Sequence, residues 1–155
     1  MKRSTIAKTF TIAAITALAL GIAPTAKADD KGCSTATLKG AFVFTSTGFI
    51  VAPAQVAGPL GEVGLQTFDG KGNTNATATI SVNGNIIQLT LTGTYTVNPD
   101  CTGTFTFQVS PIGITSHLYF VIDQGGNGFQ ALVTDQGIIE TRIGRRQFPV
   151  GDLRN

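Results

Sequence analysis

Residues 83–109 read NGNIIQLTLTGTYTVNPDCTGTFTFQV and contain the clearest strand pattern in the chain. Between residues 87 and 97, every odd position except Gly93 is apolar or aromatic, and the even positions are polar. A period of two is typical of a β-strand that buries one of its faces. The alternation resumes at residues 105–109 after an Asn-Pro-Asp turn, so this stretch predicts a β-hairpin with Cys101 in its connection.

Six further segments have the composition of strands and are separated by turns rich in Gly, Asn and Pro. With the hairpin they give eight predicted strands, at residues 37–51, 60–68, 74–82, 87–97, 104–110, 116–123, 129–134 and 138–147. Neighbouring strands with short links pair antiparallel, and eight of them can close without exposed edges. The sequence therefore predicts an all-β, single-domain, antiparallel up-and-down barrel. A two-sheet β-sandwich is the alternative, and residues 52–59 are the one link long enough for a crossover.

The first 28 residues have the three parts of a signal peptide. Lys2, Arg3 and Lys8 form a positively charged N-terminal region, and residues 10–23 form an apolar core. An Ala-Lys-Ala cleavage site ends at Ala28. The apolar core has 14 residues, fewer than the roughly 20 that a membrane helix needs. We therefore expect cleavage after Ala28, a β-barrel domain over residues 29–155, a secreted or periplasmic protein, and no membrane insertion.

The basic character of the chain resides in this N-terminal segment. The whole chain has a formal net charge of +2, with 11 basic and nine acidic residues. Four of the basic residues lie within the first 28 and all nine acidic residues follow, so seven against nine leaves the mature chain at −2. This balance gives no reason to expect a nucleic acid or an anionic membrane as a partner.

Cys33 and Cys101 are the two cysteines of the chain, and both follow the predicted signal peptide. An even number of cysteines in an exported protein favours a disulfide. Such a bridge would close a loop of about 69 residues, which is worth about 4 kcal/mol in the chain-entropy model. With one histidine and no acidic cluster at calcium-loop spacing, the sequence predicts no metal site and no cofactor.

Several short motifs resemble small secreted proteins of environmental bacteria that have no assigned activity. The first motif spans residues 33–44 and consists of Cys33, the triplet Leu38-Lys39-Gly40, Phe42 and Phe44. The other motifs are FDGKGN at 68–73, GTYTVNPDCTGT at 93–104 and RRQ at 145–147. The resemblance covers nearly all of the mature chain. It implies a single-domain β-barrel similar in outline to the lipocalin-like and allene-oxide-cyclase-like barrels, and it brings no catalytic residues with it.

The strand phases group several polar and aromatic side chains that could meet in the lumen. His117 and Tyr119 share a face of their strand, and Glu140 and Arg142 share a face of theirs. Glu62 shares a face with Gln66, and Tyr95 lies on the apolar face of its strand, so these side chains meet if these faces point into the barrel. These six are the candidate ligand-binding residues: Glu62, Tyr95, His117, Tyr119, Glu140 and Arg142. A carboxylate beside an arginine in an apolar cavity can act as an acid, a base or an anion clamp. The alternative is that Glu140 and Arg142 are exposed strand residues forming a weak surface pair, while His117 and Tyr119 pack with their polar tips at a rim.

Three functional hypotheses follow. The first is a non-catalytic barrel that binds a small hydrophobic ligand in a lumen lined by Leu89, Leu91, Tyr95, Phe105 and Phe107. The second is an enzyme, a cyclase or isomerase that folds an apolar substrate inside the barrel. The third is a non-catalytic component of the cell envelope or matrix. The oligomeric state is left open by the sequence.

Overall fold

The computed structural model describes residues 32–123 and 125–148. The predicted signal peptide lies outside these ranges. The strands are β1 (Gly40–Ile50), β2 (Gly58–Phe68), β3 (Asn73–Val82), β4 (Asn85–Val97), β5 (Thr102–Ser110), β6 (Ile114–Ile122), β7 (Gly128–Val133) and β8 (Ile138–Arg146). Each strand pairs antiparallel with the next, and β1 pairs with β8 to close the barrel.

The predicted up-and-down barrel is confirmed, and the sandwich alternative is wrong. All eight predicted strands are present. The first begins at Gly40 because Thr35–Leu38 forms a 3-10 turn in place of extended chain. The long link between β1 and β2 contains another 3-10 turn, Ala54–Val56, and leads directly to the neighbouring strand. In the described ranges, no helix has the length and apolar character needed to cross a membrane.

The segment before β1 closes one end of the barrel, called here the closed end. Leu38 is completely buried. The hydroxyl of Tyr95 donates a hydrogen bond to the Thr35 carbonyl at 2.8 Å. Cys33 and Cys101 form the predicted disulfide, with Cα atoms 4.8 Å apart, and this bond fastens the segment to the β4–β5 turn. A disulfide of this kind is typical of proteins from oxidising compartments.

Arg146, at the end of β8, holds the same segment from the other side. Its Nη2 donates to the carbonyls of Thr37 and Gly126 at 3.0 and 2.9 Å, and its Nη1 donates to the Lys39 carbonyl. Its guanidinium also stacks 4.6 Å from the Phe42 ring centroid. One arginine therefore satisfies three carbonyls that would otherwise lie at the rim of the barrel.

Aromatic rings fill the half of the barrel next to the closed end. Five phenylalanines and one tyrosine pack with neighbouring ring centroids 4.2 to 6.2 Å apart: Phe42, Phe68, Tyr95, Phe105, Phe120 and Phe129. Interior glycines make room for these and neighbouring rings. In register, phenylalanine faces glycine in the pairs Phe44–Gly64, Phe107–Gly93, Phe120–Gly103 and Phe129–Gly144. At Gly144 an added Cβ would overlap the Phe129 ring. The Phe129 ring thus fills the space that a side chain at residue 144 would otherwise take.

Candidate functional site

The opposite half of the barrel encloses a cavity of about 530 Å³, called here the open-end cavity. Its mouth lies among the β1–β2, β3–β4 and β5–β6 connections. Most of the side chains that form its wall are aliphatic, among them Leu60, Ile80, Val82, Ile87, Leu89, Leu91, Val109 and Ile138. Gln55, Asn83, Asn85 and Ser116 add uncharged polar groups to the lining. A volume of this size lies within the range of cavities that hold small organic ligands.

A buried polar cluster forms the floor of this cavity. Ser46 on β1 pairs in register with Glu62 on β2 and with Arg142 on β8, so three adjacent strands bring these side chains into one row. Glu140 lies two residues before Arg142 and therefore on the same inward face of β8. All four residues are buried, and we call them the floor cluster.

Arg142 connects the members of the floor cluster. Its Nε donates to the Ser46 hydroxyl at 2.9 Å, and its Nη2 donates to Glu62 Oε2 at 2.8 Å. The same Nη2 lies 3.5 Å from Glu140 Oε1, which is a weaker contact. Ser46 in turn donates to Glu62 Oε2 at 3.1 Å. Glu62 is thus tightly bound by two donors, while Glu140 is held loosely.

Aromatic rings separate the floor cluster from the filled half of the barrel. The guanidinium carbon of Arg142 lies 4.3 Å from the centroid of Phe44 and 5.8 Å from that of Phe107. Arg142 Nη1 is buried and has no hydrogen-bond partner among the described residues. A guanidinium over an aromatic face gains cation–π stabilisation, which compensates part of the cost of burying the charge.

The floor cluster contains two carboxyl groups and one guanidinium. Burial raises the pKa of the Glu140 carboxyl, and the charge of Glu62 raises it further, against the lowering effect of Arg142. A second negative charge in the floor cluster is therefore unfavourable, and Glu140 holds a proton more readily than an exposed glutamate does. A carboxyl in this condition can donate a proton or a hydrogen bond to a molecule in the cavity.

Three of the six predicted site residues meet at this floor: Glu62, Glu140 and Arg142. Tyr95 points inward but lies at the closed end, where it packs against Phe68 at 5.0 Å and contacts Thr35. The expectation for Leu89 and Leu91 is confirmed, because both line the open-end cavity. Phe105 and Phe107, which were predicted to line a lumen, instead belong to the packed aromatic core.

His117 and Tyr119 lie on the outside of the barrel, so the prediction that they face the lumen is wrong. The inward residues of β6 are Leu118, Phe120 and Ile122, which are buried. His117 is half exposed, and its Nδ1 lies 2.8 Å from Asp135 Oδ1. The physical reason is that both faces of β6 are apolar in sequence, so alternation does not distinguish them, and the register with β5 and β7 fixes the phase.

Sequence reasoning missed Ser46, which joins Glu62 to Arg142. Its signal was available, because a serine follows Phe42 and Phe44 at the next inward position of the same strand. A polar side chain in such a row marks a place where the lumen changes from apolar to polar. Among the described residues, no three His, Cys, Asp or Glu side chains are grouped as metal ligands.

Comparison with known proteins bears on the fold. No protein-family model and no curated protein matches the chain. A solved structure described as a redesigned β-barrel is similar to this chain with a TM-score of 0.53 and 15% sequence identity. The match covers 73% of this chain and 94% of that one. At this identity the likeness extends to the fold alone, so the chain is an eight-stranded antiparallel β-barrel with the fold of a redesigned barrel.

Proposed function

We propose that the protein binds one small hydrophobic molecule in the open-end cavity, without catalysis. The observation that carries this proposal is the division of the lumen, in which aromatic rings fill one half and aliphatic side chains surround a cavity of about 530 Å³ in the other. Barrels of eight strands have interiors that are either filled by side chains or hold one small ligand. This barrel combines both arrangements, and the room for a ligand in the described part of its lumen lies in the open half.

The chemistry of the cavity supports an elongated ligand with one polar end. Its wall offers aliphatic surface, and burying an apolar tail there gains about 25 cal/mol for each Å² removed from water. The charged residues of its lining all belong to the floor cluster and are Glu62, Glu140 and Arg142. A small number of polar groups in an apolar pocket is the usual means of fixing a ligand's orientation.

Calorimetric titration with decanol tests this proposal. We expect saturable binding at one site per barrel. Replacing Leu89 with tryptophan would place a larger side chain in the cavity and weaken binding at least about tenfold. Leu132→Trp is the matched control, because Leu132 is about half exposed on the outer face of β7 and should leave affinity unchanged. Absence of saturable binding by the wild-type protein, or equal binding by both variants, would contradict the proposal.

A second candidate function is an enzyme of the cyclase or isomerase type acting on an apolar substrate. The observation that favours it is the raised pKa of Glu140, beside a guanidinium and at the floor of an apolar cavity. With Glu140 as general acid or base, Glu140→Gln is expected to lower turnover by about 10²- to 10⁴-fold. Turnover of an apolar substrate at the wild-type rate by this variant would exclude the mechanism.

We also propose that the barrel is exported and resembles small secreted bacterial barrels of lipocalin-like outline. The support is the signal-peptide pattern of residues 1–28 together with the Cys33–Cys101 disulfide. A stable disulfide requires an oxidising compartment in most organisms. An envelope or matrix role remains a further proposal, without a contact in the described residues that favours it.

A further inference from the structure

Taking the proposed binding function as its premise, we infer that the polar end of the ligand is a cationic amine, which pairs with Glu140 at the cavity floor. The class of ligand is thus an apolar amine, with an aliphatic or aromatic body along the wall and an ammonium group at the base. The inference rests on the charge, the packing and the accessibility of the floor cluster.

The floor cluster contains more acidic than basic groups. Glu62, Glu140 and Arg142 are the charged groups at the floor, and with both carboxyls ionised they carry one negative charge in excess. Arg142 makes its short contact with Glu62 and only a 3.5 Å contact with Glu140. The pair formed by Arg142 and Glu62 is therefore complete, while the charge of Glu140 is incompletely balanced. A buried charge of this kind requires either a proton or a counter-ion.

The accessibility of the three side chains decides which charge a ligand meets. The Arg142 guanidinium lies against the Phe44 ring, and its unpartnered Nη1 is buried. All three side chains belong to the cavity lining, and Glu140 is the most exposed of them, at 10% against 4% for Arg142 and 2% for Glu62. A molecule that descends the apolar wall consequently meets a carboxyl group before it meets a guanidinium.

Among the residues that the structure describes, the surroundings of Glu140 add no other compensating charge. Arg142 on its own strand and Glu62 on β2 are the charged groups that face it, and β1 contributes the neutral hydroxyl of Ser46. The remaining lining residues are uncharged, and most of them are aliphatic. An ammonium group at Glu140 would bring the floor to neutrality, whereas a carboxylate head would raise the excess negative charge from one to two. The site therefore discriminates against fatty acids and in favour of amines of the same length.

Three probes with one common tail test the inference: decylamine, decanol and decanoate, each titrated into the full-length mature protein by calorimetry. At pH 7 we expect decylamine to bind at least about tenfold more tightly than decanol, and decanoate to bind most weakly. Decylamine affinity should rise as pH increases above the ordinary range of glutamate, because Glu140, whose pKa is raised by burial, ionises while an alkylamine stays protonated up to about pH 10. Decanol affinity should change little over the same interval.

Two variants separate the amine preference from general effects on the barrel. Glu140→Gln is expected to reduce the ratio of decylamine to decanol affinity to within about threefold. Asp100→Asn removes a carboxylate of the same charge from an exposed turn at the closed end and should keep the wild-type ratio. Saturable binding of decanol with equal or weaker binding of decylamine, or a ratio unaffected by Glu140→Gln, would overturn the inference and leave the binding function intact. No saturable binding of decanol would instead contradict the binding function itself.

Discussion

Replacing Arg142 with methionine is expected to lower the free energy of unfolding by about 3–5 kcal/mol at neutral pH. The guanidinium is 4% exposed and binds both Glu62 and Glu140, so its loss would leave two buried carboxyl groups without a cation. Methionine keeps much of the side-chain volume, and the effect would therefore come from charge rather than from a cavity. Urea denaturation followed by circular dichroism measures the difference.

The pH dependence of this variant identifies the cause. Without Arg142, the folded state would bind protons on its buried carboxyls more strongly than the unfolded state, whose glutamates titrate near about pH 4.3. Stability is then lost as pH rises above that value, because the unfolded state holds fewer protons than the folded state in this window. We expect the deficit relative to the wild-type protein to shrink toward pH 4 and to reach its full size by pH 7.

The triple variant Glu62→Gln, Glu140→Gln, Arg142→Met serves as the control for the single one. It removes all three charges, and replacing a buried ionic cluster by neutral groups of similar size often costs little. The triple variant should therefore recover most of the stability that Arg142→Met loses. A single variant as stable as the wild-type protein, or a triple variant no better than the single one, would show that the floor cluster is not an ionic network.

Loss of the disulfide has the second large expected effect. Exchanging both cysteines for serine should lower the free energy of unfolding by about 4 kcal/mol, because the bond joins residues 68 positions apart and restricts the unfolded chain. The wild-type protein unfolded under reducing conditions is the natural comparison and should match the double variant. A loss below about 1 kcal/mol would mean that Arg146 and the buried Leu38 hold the N-terminal segment without the bond.

The strands and three site residues could be predicted because alternation in a closed barrel fixes which side chains face inward. In β4, polar threonines alternate with Leu89, Leu91 and Tyr95, and the structure buries those three apolar residues. The same reasoning placed Glu140 and Arg142 on one face of β8 and proposed that they could meet Glu62 in the lumen, where the structure buries all three. It failed on β6, where His117, Tyr119 and their neighbours give both faces an apolar character. There the register with β5 and β7 decides the phase, and a single strand does not contain that information.

The division of the lumen into two halves could not be read from the chain. It depends on contacts between strands, such as Phe44 over Gly64 and Phe129 over Gly144, in which one strand's ring fills the space above another strand's glycine. It also depends on Leu38, which enters the barrel from a segment whose pattern predicted a strand. Tyr95 illustrates the limit of prediction from strand phase, because its inward orientation could be predicted but its distance from the floor cluster could not.

The disulfide and the packing contacts at the closed end also determine where the native state can open. The disulfide, the three carbonyl contacts of Arg146 and the stacked rings all lie in one half of the barrel, while the mouth of the other half is bounded by loops and by mostly aliphatic side chains. Local fluctuations begin where few buried contacts must be broken. Backbone amides should therefore exchange with solvent faster around the mouth than around the rings, and a ligand can enter while the far half of the barrel stays folded.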